Sequence, residues 1–148
     1  MLNFIIEDQD VLWIDGDKED LLLFAKQLEP FVASGQTPVT VEGLGHHDSV
    51  YKEHVMKDLM KIDRMVFHRD DQFTEDNAQY LIDGESKTIN FFGPIVAIQS
   101  LKKGLELVGL SKDPLEHCHV YDYYGGPPYF KSLIVKITIS SAIDFRQE

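Results

Sequence analysis

The sequence predicts an α+β fold, with two β-α-β-β units forming a mixed or antiparallel sheet and two helices on one face. Three observations carry this expectation. Two stretches repeat apolar residues at spacings of three and four, the period of a half-buried helix. Short runs rich in strand-forming residues, bounded by Gly, Pro, Asp and Asn, lie on either side of each stretch. The two halves also overlay in the same element order at a nearly constant offset.

Leu2 to Ile6 is an apolar run that reads as a first strand and ends at the polar residues 7–10. Val11-Leu12-Trp13-Ile14 reads as a second. Asp15-Gly16-Asp17 follows, and either aspartate suits a helix N-cap. Residues 18–33 have helical periodicity, with Leu21, Phe24, Leu28 and Phe31 on one face. Glu19 and Asp20 fall in the first turn, where negative charge favours the helix dipole. Gly35 suits a C-cap. Pro30 is expected to tighten or kink the last turn, because it lacks an N–H and crowds the preceding turn.

Val39 to Val41 starts another strand, and residues 43–49 form a polar loop. Residues 55–67 mix apolar and charged side chains in an imperfect alternation and read as a strand, with a helix as the alternative. The charged stretch from His68 to Asp76 reads as a loop. Residues 79–82 and 88–92, joined through Asp83-Gly84, read as a hairpin, since Asp-Gly is a strong turn signal. Gly93-Pro94 opens a second helix, with proline near the position where its missing N–H costs least. Ile98, Leu101, Leu105 and Val108 form its apolar stripe. Residues 116–123 read as an aromatic, β-branched strand. Gly125-Gly126-Pro127-Pro128 reads as a turn, and Leu133 to Ile139 as a last strand.

The chain reads as a single domain, 1–148, with an internal repeat over 11–67 and 88–141. A shift of 77 residues places Leu12 to Gly16 on Ile89 to Gly93, and Leu21, Phe24, Leu28 and Phe31 on Ile98, Leu101, Leu105 and Val108. The same shift places Val55 to Ile62 on Ser132 to Ile139. Val39 to Val41 matches Cys118 to Val120 if the second connection is slightly longer. One such unit has too little core to stand alone, so two are expected to share one.

Composition narrows the function classes. The chain has 148 residues, 43% of them hydrophobic and 26% charged, which is ordinary for a folded domain. No apolar run approaches the roughly 18–20 residues that span a bilayer. The N-terminus lacks the basic and apolar segments of a signal peptide. Cys118 is the only cysteine, so no intrachain disulfide forms. These features point to the cytoplasm. The net charge is −11, from 25 acids against 14 bases. It argues against nucleic acid and anionic membrane as partners, because both need a positive footprint. It suits a basic protein, whose opposite field speeds encounter.

No catalytic motif stands out. Gly43-Leu44-Gly45 lacks the rest of a dinucleotide fingerprint, and GxxxxGK[ST], GxSxG and HExxH do not occur. Asp15, Asp17, Glu19 and Asp20 do not have Ca²⁺-loop spacing and read as helix-start residues. The expectation is no cofactor. The alternative is a divalent transition metal at His117-Cys118-His119, because alternate strand residues share a face and two imidazoles there can share an ion. His46-His47-Asp48 would add ligands only if the fold brought that loop close. Residues 121–130, Tyr-Asp-Tyr-Tyr-Gly-Gly-Pro-Pro-Tyr-Phe, crowd aromatics around a turn. Such a tip suits an interface anchor, since tyrosine offers large area and a polar handle.

From Leu101 to Ile139 the chain resembles small bacterial immunity proteins of polymorphic toxin systems. The resemblance rests on an amphipathic helix, a loop, His117-Cys118-His119-Val120-Tyr121-Asp122-Tyr123-Tyr124, and Ser132-Leu133-Ile134-Val135. It covers about a quarter of the chain. It implies a non-catalytic protein that binds and neutralises a cognate toxin. The expected contact surface combines Asp58, Asp63, Asp70, Asp71, Glu75 and Asp76 with Tyr121, Tyr123, Tyr124 and Tyr129. Metal binding or metalloenzyme chemistry at His117 and His119 is the competing expectation, and a homodimeric structural domain is a third.

Overall fold

The computed structural model describes residues 2–7, 11–43, 59–75, 78–112, 117–120 and 136–140. In chain order these form β1 (Asn3–Glu7), β2 (Val11–Asp15), α1 (Lys18–Gln27), α2 (Glu29–Ser34), β3 (Val39–Glu42) and β4 (Leu59–Ile62). There follow β5 (Arg64–Arg69), β6 (Gln79–Asp83), β7 (Thr88–Gly93), α3 (Ile95–Gly109), β8 (His117–Val120) and β9 (Lys136–Ser140). The α+β expectation holds.

The helical periodicity after Lys18 is realised as two helices instead of one. The break is at Leu28, two residues before Pro30, and Pro30 occupies the first turn of α2. A proline in a helix interior would clash with the carbonyl four residues back, so the chain restarts instead. Gly35 takes the left-handed conformation at the C-cap, with φ 66°, as its lack of a Cβ allows. Asp17 is the N-cap of α1, although its side chain makes no capping bond.

The segment expected as one strand over 55–67 is two, β4 and β5, with a bend at Asp63. The bend is held by backbone bonds: Asp63 N–H donates to Lys87 O and Gly43 N–H to Asp63 O, each at 2.7 Å. His68 and Arg69, expected in a loop, continue β5, because parallel pairing to β7 runs as far as Arg69 opposite Gly93. Residues 55–58 and 132–135 lie outside the described residues. In the β6–β7 hairpin the connection spans residues 84–87. Asp83 Oδ1 accepts the N–H groups of Glu85 and Ser86, and Lys87 carries the positive φ of 51°.

Among the described residues the strands make two mixed sheets, joined where β4 bends into β5. One has the order β4-β1-β2-β9-β8, the other β3-β5-β7-β6. Their plans correspond. In the first, the β1–β2 hairpin lies beside the antiparallel β8–β9 pair, with β2 parallel to β9. In the second, the β6–β7 hairpin lies beside the antiparallel β3–β5 pair, with β7 parallel to β5. Each sheet thus takes a hairpin from one half of the chain and two strands from the other. By this pairing the counterpart of β9 is β5. The repeat alignment had set residues 55–62 there, but β4 instead pairs antiparallel with β1.

A single core joins the layers. Leu21, Phe24, Leu28 and Phe31, and Ile98, Leu101, Leu105 and Val108, are all essentially inaccessible. Each buried side chain of this size contributes roughly 1.5–3 kcal/mol of transfer free energy. Phe24 bridges the sheets, with its ring edge-on to Phe4 at 5.8 Å and tilted on Phe67 at 6.1 Å. The chain of rings continues from Phe67 through Phe91 to Tyr80. The first stripe thus reaches both sheets through Phe24, and the second lies in the same core. The helices run close at Gly109, where an added Cβ would lie 2.7 Å from Leu22 side-chain atoms. No helix among the described residues is long and apolar enough to cross a membrane.

Candidate functional site

The described members of the expected acidic contact surface fall at two places. Asp63 lies at the bend before β5, while Asp70, Asp71 and Glu75 lie beyond its other end. At about 3.3 Å per residue, the six residues of β5 separate the two groups by roughly 20 Å. The second group has local partners. Asp70 Oδ1 accepts the Gln72 N–H at 3.0 Å. Asp71 forms an exposed ion pair with Arg69, with Oδ2 3.0 Å from Nη2. Glu75 accepts the Ser100 hydroxyl at 2.8 Å. Exposed pairs of this kind contribute under about 1 kcal/mol each. Asp58, Asp76, Tyr121, Tyr123, Tyr124 and Tyr129 lie outside the described residues, as does His46-His47-Asp48.

His117 and His119 lie on β8, opposite Ser140 and Thr138 of β9. Through β9 and β2 their rows continue to Asp15 and Trp13. Cys118 occupies the intervening row, with Ile139, Ile14, Phe4 and Ile62. The described residues contain no group of three or more His, Cys, Asp or Glu arranged to hold a metal ion.

A different surface emerges from the four-stranded sheet. Successive strand residues alternate between faces, so the face opposite buried Met65, Phe67, Ile89 and Phe91 carries Val66, His68, Asn90 and Phe92. Thr40 and Leu81 extend the Val66–Asn90 row to both edges. Except for the exposed Thr40, these side chains are half-buried. The His68 ring stacks on Phe92, centroids 4.6 Å apart and planes 10° from parallel. Its Nε2 is 3.0 Å from Asn90 Oδ1. The face therefore holds an aromatic and amide cluster on adjacent strands.

Its ends are charged. Glu42, Arg64, Thr88 and Asp83 form the row at one end. Arg64 pairs with Glu42 at 3.2 Å. The Ser86 hydroxyl, and then the Glu85 and Ser86 N–H groups, hold the Asp83 carboxyl below its ordinary range. Asp83 therefore remains ionised further into acid than a free aspartate. Asp70 and Asp71 follow β5 at the other end. The alternation of 64–69 hinted at this face, but the cluster needs parallel pairing between β5 and β7, which no local pattern announces.

The outward rows of the other sheet differ. Ile5 lies opposite Trp13 on the face away from Phe4 and Ile14, yet is only 3% exposed. The Trp13 indole nitrogen is buried and has no hydrogen-bond partner among the described residues. Comparison of the chain with protein-family models, with curated proteins and with solved structures finds no match.

Proposed function

We propose that this is a non-catalytic cytoplasmic binding protein whose partner is a basic protein. The observation that carries the reading is the excess of 25 acids over 14 bases. A field of that sign raises the encounter rate with a positive partner and disfavours nucleic acid and anionic membranes. The finer reading is an immunity protein that neutralises a cognate basic toxin, drawn from the resemblance over Leu101 to Ile139. Blocking a nucleic-acid-binding surface calls for an acidic surface, which makes the two readings compatible.

The test is a pull-down with the tagged protein from its source lysate, washed at low and high salt, with bound proteins identified by mass spectrometry. The expected result is one stoichiometric basic protein released by salt. Its activity should fall when the two are mixed. Reversing Asp70, Asp71 and Asp83 together should slow association and flatten its salt dependence. No basic partner in a lysate shown to express the neighbouring genes would overturn the reading.

A second reading draws on the strand register. His117 and His119 stand two residues apart on β8, so their rows belong to one face of the sheet, where a divalent transition metal would find two imidazoles. Metal analysis of untagged protein tests it. Stoichiometric zinc, nickel or iron would favour it, and failure to take up any of them on titration would remove it.

A further inference from the structure

We infer that Asp83-Gly84 is a modification site, where the backbone isomerises spontaneously to isoaspartate, and that the fold withholds the same reaction from Asp15-Gly16. These are the only Asp-Gly pairs in the sequence, and both stand in the same local setting, Ile-Asp-Gly followed by an acid. Their intrinsic chemistry is therefore matched, and the structure decides between them.

In the reaction the Gly84 amide nitrogen attacks the neutral Asp83 carboxyl carbon. The amide proton and the carboxyl hydroxyl leave together as water, and a cyclic succinimide forms. Water then opens the ring at either carbonyl. Opening at one restores aspartate. Opening at the other leaves the main chain running through the side-chain carboxyl, with an extra carbon in the backbone. No oxidant, reductant or co-reactant other than water enters. Glycine favours ring closure, because it has no side chain to crowd the nitrogen and the freest backbone.

The two sites differ in exposure and in strand pairing. Asp15 is 7% exposed and Gly16 is buried. Asp15 ends β2 and is flanked by Asn3 of β1 and Ser140 of β9, so ladders on both sides fix its backbone. Asp83 is paired on one side among the described residues, opposite Thr88, and residues 83–87 are all exposed. A Cβ at Gly84 would meet no atom within 4 Å. The left-handed residue of this turn is Lys87, not Gly84. Neither packing nor backbone conformation therefore requires glycine at 84, and its nitrogen stands in an open turn.

The same turn holds a brake. Asp83 Oδ1 accepts the Glu85 and Ser86 N–H groups at 3.1 and 3.5 Å, which ties the carboxylate to residues beyond Gly84. The Ser86 hydroxyl and these bonds keep it ionised, and a carboxylate is a poor electrophile. Ring closure proceeds from the opened turn, and an exposed hairpin end opens at low cost. The product places its extra carbon in the turn whose Lys87 carbonyl accepts the Asp63 N–H, so it disturbs the bend that joins the sheets.

The test stores the full chain at neutral pH and physiological temperature for several weeks. Electron-transfer mass spectrometry of proteolytic peptides then locates isoaspartate, which has the same mass as aspartate. Isoaspartate should accumulate at residue 83 about tenfold or more faster than at residue 15. In denaturant the two rates should converge. Gly84→Ala should slow the reaction at 83 about tenfold, with the thermal melt unchanged or slightly raised. Ser86→Ala should speed it about threefold, because a hydrogen bond to the carboxylate is lost. Equal rates at 15 and 83 in the folded chain, or no isoaspartate at 83 while the denatured chain forms it, would overturn the inference. A Gly84→Ala rate equal to wild type would do the same, and an unchanged rate in Ser86→Ala would remove the brake.

Discussion

Ile5 and Leu81 occupy matching places in matching hairpins, but only Ile5 is closed to solvent. The two sheets share a plan in which a hairpin from one half of the chain lies parallel to a strand from the other. They also share one core, through Phe24 and the ring sequence that follows it. They differ in their outward rows, where one carries Ile5 and Trp13 and the other Leu81, Asn90 and Val66. Inward positions answer to packing and must agree between the sheets. Outward positions are free to diverge, and it is there that partner recognition has room to arise.

This comparison can be broken most directly at the shared core. Phe24→Ala should cost about 3–5 kcal/mol, because the ring touches both sheets and neither can collapse into the space alone. Chemical denaturation measures it. Trp13 fluorescence reports the five-stranded sheet and far-ultraviolet circular dichroism reports the whole, and the two curves should coincide in wild type. Separate transitions would show that the sheets are independent.

The next effect sharpens the contrast between outward faces. Ile5→Ala should cost about 2–4 kcal/mol, while Leu81→Ala should cost under about 1 kcal/mol. Equal losses would mean that the two faces are equally covered. Gly109→Ala tests the helix pair over the core. It should destabilise by about 1–3 kcal/mol, since the new methyl meets Leu22 and the Lys18 carbonyl, and this outweighs the propensity gain of about 1 kcal/mol.

The smallest effect concerns Lys102, which bridges Glu29 of α2 and Glu106 of its own helix at 3.1 and 2.8 Å. The Glu106 contact, then that of Glu29, raises the lysine pKa above its ordinary value. A raised lysine pKa contributes stability that is fully present below the unfolded-state value and lost as pH rises through the folded one. Lys102→Met should therefore cost under about 1 kcal/mol at neutral pH, and the difference from wild type should vanish in strong alkali. Thermal melts at neutral and strongly alkaline pH measure this.

Much of the fold was legible because it is local. The stripe Ile98, Leu101, Leu105 and Val108 repeats at helical spacing and is wholly buried. Pro30 announced trouble in the first helix, and Gly35 announced its end. The bend at Asp63 was hidden, because it depends on backbone bonds to Gly43 and Lys87, which are remote in sequence. The candidate site was less legible for the same reason. His68, Asn90 and Phe92 meet only through the β5–β7 register, and a charged segment containing His68 looks like a loop until that partner strand is placed. The net charge could be read directly, but its distribution over the surface could not.

The exchange of strands between halves also bears on how the polypeptide can be divided. A cut between β5 and β6 leaves two fragments, and the parallel neighbours of β2 and β5 are then on the other piece. Val11 meets Lys136 and Arg64 meets Thr88 only when both fragments are present. Such fragments should be unstructured apart and assemble when mixed, which makes that connection a natural split point for a complementation reporter. The intact chain should fold slowly for its size, because its parallel pairings close long loops before they are rewarded by contacts.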